Sequence, residues 1–467
     1  MNRSAVPDPP GHCTDTNLTR DEMLSREDNE LLTRTGPATP MGGLLRRYWM
    51  PVLLSRELPE PDCPPKKLKV LGEDLLAFRD SSGKVGLVDP VCPHRGANLY
   101  YGRNENCGLR CVFHGWKFDT TGRCVDLPTA PPDSPYKERI RIKAYPTQEW
   151  GDYIWAYMGP AAELPPLPMM AFALVPPSHR YVSKKWQDCN WLQCVDGAVD
   201  TAHFSFLHMI LGTEEMDEKA AVERLKHAAL GTQHVRNDRF RWVRDDPMPR
   251  FSVEEIASGL VLGAARAADG DELYWRITHF LAPNHGLAPS AFPGENYHGQ
   301  TFVPVSDTSC WIYTYTWNPD RPLTDEEIAM AQRGHTVHAA VDEHYVPLRN
   351  IRNDYLIDRN DQKHNSFTGI HGVSEQDAAI QDSQGPIADR TREHLGPTDV
   401  GVVRTRRLLL QQVRDHMNGI APQALAHPEA YAVHSGGWVA HRSKPLNDVM
   451  VERFGDSEGR GSAPAVR

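Results

Sequence analysis

CPHRGANLYYGRNENCGLRCVFHGW, residues 92 to 116, contains two short loops, Cys92-Pro93-His94 and, after sixteen further residues, Cys111-Val112-Phe113-His114. Each loop offers one thiol and one imidazole. Two cysteines and two histidines also suit tetrahedral zinc, but zinc fingers usually pair Cys with Cys and His with His within each loop. The split set fits a [2Fe–2S] cluster whose thiolates bind the iron that stays ferric, while neutral imidazoles bind the other. Removing negative charge in this way lifts the potential to roughly −150 to +300 mV, against about −400 mV for a plant-type all-thiolate cluster. Gly96 and Gly115 follow the ligand histidines closely, where a missing side chain lets backbone N–H groups approach the sulfurs. Cys107, four residues before Cys111, breaks neither loop and is read as a packed or free cysteine.

Around this stretch, residues 50–160 read as a small β-domain: LKVLGEDLLAFRD and KVGLVDP alternate in short runs, with Ser82-Gly83 at a hairpin turn and DYIWAYMGP as a closing strand. Residues 23–49 predict a short helical segment broken by Gly and Pro. AAELPPLPMM crosses into a second domain, residues 161–455, where helical stretches mix with strands such as ELYWRITHFLAP and SCWIYTYTW, an α+β pattern. The termini, 1–22 and 456–467, are expected to be loose tails. Among 467 residues, 40% hydrophobic and 24% charged, no apolar run reaches the 18 needed to span a bilayer, and the amino terminus lacks a secretory h-region. No membrane anchoring and a cytoplasmic location are the expectation. A net charge of −10 argues against nucleic acid as partner, and nine cysteines are too sparse for a disulfide scaffold.

A second constellation lies in NWLQCVDGAVDTAHFSFLH, with Asp196, Asp200, His203 and His208. Two histidines and a carboxylate make the facial triad of non-haem Fe(II) sites, with positions left open for O2 and substrate. Residues five apart diverge by about 140° on an ideal helix, so His203 and His208 need a helix end or a widened turn to meet. Asp200, three before His203, lies beside it. For the carboxylate, VDEHYVPLRNIRNDYLIDRNDQ reads as an acidic helical stretch, and Asp354 and Asp358, one turn apart, are both open on spacing alone.

Together these residues resemble the Rieske non-haem iron ring-hydroxylating oxygenases from about residue 23 to residue 440. TRTGPATPMGGLLRRYWMPV, NDYLIDRNDQ and QGPIADRTREHLGPTD are similar to the phthalate dioxygenase branch. The resemblance implies an all-β Rieske domain and a larger α+β catalytic domain with an antiparallel sheet flanked by helices. It implies Cys92, His94, Cys111 and His114 as cluster ligands, and His203, His208 and, by the NDY match, Asp354 as ligands of a mononuclear Fe(II). It implies a homotrimer or stacked trimers in which Asp200 bridges His203 to a cluster histidine of the neighbour. It further implies a flavin and ferredoxin-type reductase that delivers NAD(P)H-derived electrons, O2 as oxidant, and a small aromatic substrate, carboxylated in this branch. Ring hydroxylation and removal of an O- or N-methyl group use the same iron site and stay open at this point. A Rieske electron carrier or a zinc-stabilised binding module would leave the second constellation without a purpose. A pocket for an aromatic acid is expected to hold a cation for the carboxylate, and Arg266 and Arg276, in GAARAADGDELYWRITHF, are the candidates.

Overall fold

The computed structural model describes residues 23–131, 135–212 and 237–458. The expected tail 1–22 and residues 459–467 of the expected tail 456–467 lie outside the described residues, while 456–458 end the helix Leu446–Glu458. The amino-terminal segment forms two helices, Arg26–Thr33 and Pro40–Leu45, each started by a hydroxyl: Ser25 accepts from Asp28 N and Thr39 from Gly42 N. Proline at the first helical position of the second suits its missing N–H.

The β-domain pairs Lys66–Val70, Glu73–Arg79, Val85–Val88 and Ala144–Tyr145 in one sheet and four short strands between Arg103 and Asp126 in another. Between them sits a small core of Leu76, Phe78, Val88, Leu99, Leu109 and Phe118. The Ser82-Gly83 hairpin forms as expected: Asp80 Oδ1 accepts from Ser82 N and Lys84 N, and Gly83 takes a positive φ of 86°. A third sheet of Trp49–Leu54, Tyr153–Tyr157 and Thr147–Trp150 belongs to the β-domain in sequence, but its side chains join the main core of the larger domain. Tyr153 Oη donates to the Thr314 carbonyl at 2.9 Å.

The larger domain is built on an antiparallel sheet in the order Arg180–Gln187, Ser309–Trp317, Tyr297–Ser306, His285–Leu287, Glu272–Leu281, Gly259–Ala267, Arg250–Ile256, with Gly436–His441 paired to Glu272–Leu281. Both strands read from the sequence, ELYWRITHFLAP and SCWIYTYTW, are present. Alternation along Ser309–Trp317 gives the sheet two unlike faces. Tyr313 and Tyr315 meet Tyr153 and Phe172 of the neighbouring layer at ring distances of 5.4 and 4.1 Å. Cys310 and Thr316 face the other way, Cys310 Sγ lying 3.6 Å from Cys194 Sγ on the helix Trp191–Val199.

That helix is fixed at both ends. Asn190 caps its start and donates to the Thr33 and Asp307 carbonyls. Near its end Asp196 is gripped by Arg390 (Nη2 at 2.8 Å) and Arg406 (Nη2 at 2.7 Å), and Arg406 also pairs with Glu393. Gly197 faces the second site helix, Val373–Ser383, so closely that a Cβ would stand 2.4 Å from Gln381 Nε2. The stretch read as an acidic helix, 341–362, is not one. Pro347 interrupts it, and Asp354, Tyr355 and Leu356 adopt left-handed φ values of 50°, 54° and 49°, leaving a 3-10 turn over Ile351–Leu356 and a short helix at Arg359–His364. No helix among the described residues is long and apolar enough to cross a membrane.

Burial opposes ionisation of Asp196, but Arg406 and Arg390 outweigh it and hold its pKa below the ordinary carboxylate value. Its stabilising contribution is therefore complete above the usual Asp range and is lost as pH falls through the depressed folded value. Asp196→Ala leaves two buried guanidinium groups without this partner, a cost of about 3–5 kcal/mol. The expected result is a clear fall in the thermal unfolding midpoint by calorimetry; an unchanged midpoint would refute this anchoring role.

Candidate metal centres and substrate cavity

The two cysteine–histidine loops share one backbone pattern. Cys92 N donates to Ala97 O and Gly96 N to Cys92 O; in the second loop Cys111 N donates to Trp116 O and Gly115 N to Cys111 O, all at 2.8 to 3.0 Å. Gly96 and Gly115 take φ of 75° and 77°, a conformation that strains any residue with a Cβ. The loops present their thiols inward and their imidazoles at the tip. Cys92 and Cys111 are buried, and Cys92 is pushed up to about 11 by burial and by the adjacent Cys111 thiol. The His94 and His114 rings stand 4.4 Å apart, and Trp116 stacks on His94. His114 Nδ1 is buried without a hydrogen-bond partner, and burial holds the ring toward its neutral form. No three of the four ligand atoms converge within 4.8 Å, as they would around a single tetrahedral ion. A thiol pair and an imidazole pair set apart match a two-iron cluster. Cys107 is exposed and free, outside both loops.

The second centre starts where the helix Trp191–Val199 stops. Asp200 is its C-cap, in extended conformation, and Asp200 Oδ1 accepts from Ala202 N at 2.7 Å, turning the chain into a 3-10 turn that begins at His203. The helix end, not a widened turn, brings the histidines together: His203 Nε2 and His208 Nε2 are 3.2 Å apart. The carboxylate that joins them is Asp377, with Oδ1 3.1 Å from His208 Nε2 and 3.7 Å from His203 Nε2. This corrects the expectation of Asp354, which is exposed on the left-handed turn, and of its alternative Asp358, which caps the helix Arg359–His364. Asp377 lies on a regular helix with Glu375 and Asp382 in SEQDAAIQDS. In the sequence it is one of three acids on this helix, and nothing in its spacing singles it out.

The hydrogen atoms around this centre follow from their partners. Gln376 Nε2 donates to the Ile370 carbonyl at 2.8 Å, which turns Gln376 Oε1 to His208 Nδ1 at 2.6 Å. An amide oxygen only accepts, so His208 Nδ1 carries the proton and Nε2 a lone pair. Asp200 Oδ2 lies 3.6 Å from His203 Nδ1, favouring the same tautomer there. Two bare nitrogens and a carboxylate oxygen then converge, a set of lone-pair donors that fits a cation. Burial opposes protonation of His203, but Asp200 and then Asp377 outweigh it and raise its pKa. Burial likewise opposes ionisation of Asp377, and His208 and His203 outweigh it and lower its pKa.

Asp200, His203, His208 and Asp377 line a cavity of about 170 Å³. Much of its wall is apolar, including Phe204, Leu287, Leu323 and Val337. Among the described residues that line it, Arg276 is the single Arg or Lys. Arg276 Nε donates to Thr201 Oγ1 at 3.0 Å and its guanidinium lies 4.2 Å from the Phe204 ring centre, while its Nη atoms have no hydrogen-bond partner among the described residues. Arg266 is spent elsewhere, on the Thr201 and Asp246 carbonyls, and does not reach the cavity.

Residues 48–146 match the Rieske [2Fe-2S] domain family and residues 156–436 the family described as LigXa C-terminal domain like. The chain is 38% identical over 435 residues to the 3-chlorobenzoate-3,4-dioxygenase oxygenase subunit of Comamonas testosteroni, covering 89% of this chain and 95% of that one. It is 39% identical over 397 residues to the phthalate 4,5-dioxygenase oxygenase subunit of Pseudomonas putida, covering 83% and 86%. The crystal structure of dicamba monooxygenase bound to 3,6-dichlorosalicylic acid shares the fold, with a TM-score of 0.52 and 17% identity over 80% of this chain and 98% of that one. The chain therefore belongs to the Rieske oxygenases, as an oxygenase component with a Rieske [2Fe–2S] cluster and a mononuclear iron that draws electrons from a partner reductase.

Proposed function

We propose that this oxygenase hydroxylates an aromatic carboxylate, and that Arg276 holds the carboxylate. The observation that carries the reading is a guanidinium whose Nη atoms have no partner among the described residues, inside the largely apolar cavity that His203, His208 and Asp377 also line. A planar guanidinium fork matches a carboxylate bidentately, and Phe204 keeps the group flat against one wall. The apolar wall takes the ring. The names of both relatives, a chlorobenzoate and a phthalate dioxygenase, agree with this chemistry.

In this reading Cys92, His94, Cys111 and His114 hold the cluster, and His203, His208 and Asp377 the iron. When bound, the cluster supplies single electrons and the iron supplies O2 chemistry. The chain's own part is to orient the ring, exclude water and keep each ligand nitrogen bare. The subunit also carries two unlike apolar patches: exposed Val112 and Phe113 beside the cluster histidines, and exposed Phe206 and Phe367 near the iron-site loop. Patches that differ suit a head-to-tail contact, which closes into a ring when the rotation between copies closes. We assign that ring as a homotrimer, with Asp200 accepting from His203 Nδ1 on one side and from His114 of the neighbouring copy on the other.

Asp377→Ala is expected to lose the mononuclear iron while the cluster spectrum persists, and Asp354→Ala to keep both metals; iron analysis with electron paramagnetic resonance distinguishes them, and the reverse pattern would restore Asp354. Arg276→Gln removes a charged hydrogen-bonding group worth about 1.5–3 kcal/mol, so KM for an aromatic carboxylate should rise roughly 10- to 150-fold with Arg276→Lys in between. The same KM in wild type and Arg276→Gln would place the carboxylate elsewhere. Asp200→Asn should retain both metals and the trimer, yet slow the return of cluster absorbance after rapid mixing of reduced protein with O2 and substrate by about 10- to 100-fold. A wild-type rate would rule out the bridging role.

A further inference from the structure

The face of the sheet that floors the cavity also carries a continuous row of polar side chains that the site described above does not use. His298 lines the cavity, and its Nδ1 lies 2.7 Å from Thr316 Oγ1, its cross-strand partner. Thr316 Oγ1 lies 2.8 Å from His338 Nε2, and His338 Nδ1 lies 2.6 Å from Ser183 Oγ. Ser183 is on the edge strand Arg180–Gln187, is partly exposed, and is not part of the cavity wall. Between the two ends, His338 is buried, and Thr316, also buried, lines the cavity beside His298. The His338 ring is held by Tyr181, edge to face at 4.9 Å. Three successive contacts of 2.6 to 2.8 Å thus run from the outer edge of the sheet to the cavity.

We propose that Ser183, His338, Thr316 and His298 form a proton relay that feeds the oxygenation cavity from solvent. This rests on the cavity being the oxygenation site. Each electron that reaches O2 during hydroxylation has to be matched by a proton, and the electrons arrive through protein from the reductase. The apolar wall and the ring of a bound substrate displace water, so the protons need a route of their own.

The chemistry of the row suits the task. A hydroxyl both donates and accepts, and a neutral imidazole has one donor and one acceptor nitrogen. With every donor pointing inward, Ser183 donates to His338 Nδ1, His338 Nε2 to Thr316 Oγ1, and Thr316 to His298 Nδ1. Release of the proton on the far nitrogen of His298 draws one proton across each contact in turn, and solvent restores the hydroxyl of Ser183. One proton enters, one leaves, and no electron moves along the row. Burial keeps both histidines neutral, His298 lowered to about 4 and His338 lowered well below its usual value, so neither ring traps a proton. The charged groups that face them are Glu327 toward His298 and Arg56 toward His338.

Thr316→Val keeps the shape and removes the central hydroxyl. Its kcat should fall at least about tenfold, with more peroxide released per O2 and a larger solvent isotope effect, while iron content stays near wild type. Thr316→Ser should restore all three. Unchanged coupling and isotope effect in an active Thr316→Val enzyme would overturn the relay, whereas wild-type protein that turns over no aromatic carboxylate would count against the substrate reading alone. Neutron diffraction of wild-type crystals exchanged into D2O tests the row without turnover. The expected map has deuterium on one, and only one, of the two imidazole nitrogens facing Thr316 Oγ1, and on one nitrogen of the His338 ring. Deuterium on both facing nitrogens, on neither, or a His338 ring left unexchanged would break the chain and the proposal with it.

Discussion

The strand Ser309–Trp317 has to satisfy two neighbours at once, and period-two alternation is how it does so. Tyr313 and Tyr315 fill the layer shared with Tyr153 and Phe172, while Cys310 and Thr316 turn to the helix Trp191–Val199 and the cavity. A slip of one residue would send tyrosines into the cavity and threonine into an aromatic core. The sheet can therefore carry a polar, reactive face only because its other face is occupied by side chains from the amino-terminal part of the chain.

Holding the metal-facing side chains together is a separate problem, because lone pairs have no reason to gather. The fold solves it by fixing the backbone first. Asp196 locks the helix Trp191–Val199 between Arg390 and Arg406, and the helix end then throws His203 forward. Arg266 and Arg276 both take hold of Thr201, one by its carbonyl and the other by its hydroxyl, which pins the link between Asp200 and His203. From the opposite side Lys185 Nζ donates to the Ser374 carbonyl and Gln376 to Ile370, setting the helix that bears Asp377. The convergence of His203, His208 and Asp377 is imposed by these anchors, and a cation relieves what they impose.

In the proposed reading Arg276 serves structure and recognition together. Its Nε is committed to Thr201, so the guanidinium is already oriented and its Nη atoms are left for a ligand. Fixing the group beforehand lowers the entropy lost when a carboxylate binds. Arg266, on the neighbouring strand, has the same charge but spends it on backbone carbonyls.

Features within one loop or one strand were legible in the sequence. The two matched loops that carry Cys92, His94, Cys111 and His114 follow from their spacing, because each loop closes on itself through backbone bonds that glycine permits. His203 and His208 were legible with the need for a helix end, since that need is set by residues per turn. The carboxylate was not. Asp354 sits in a stretch whose apolar spacing imitates a helix, yet Pro347 and three left-handed residues turn it away, and Asp377 reaches the histidines only through the packing of two helices far apart in sequence. Nor could spacing choose between Arg266 and Arg276, which point to the same face of the sheet from adjacent strands. The sequence by itself determined the local geometries, those set by backbone stereochemistry and short loops. The tertiary structure decided which distant side chains complete each site, because that depends on helix packing and sheet register, which no local spacing encodes.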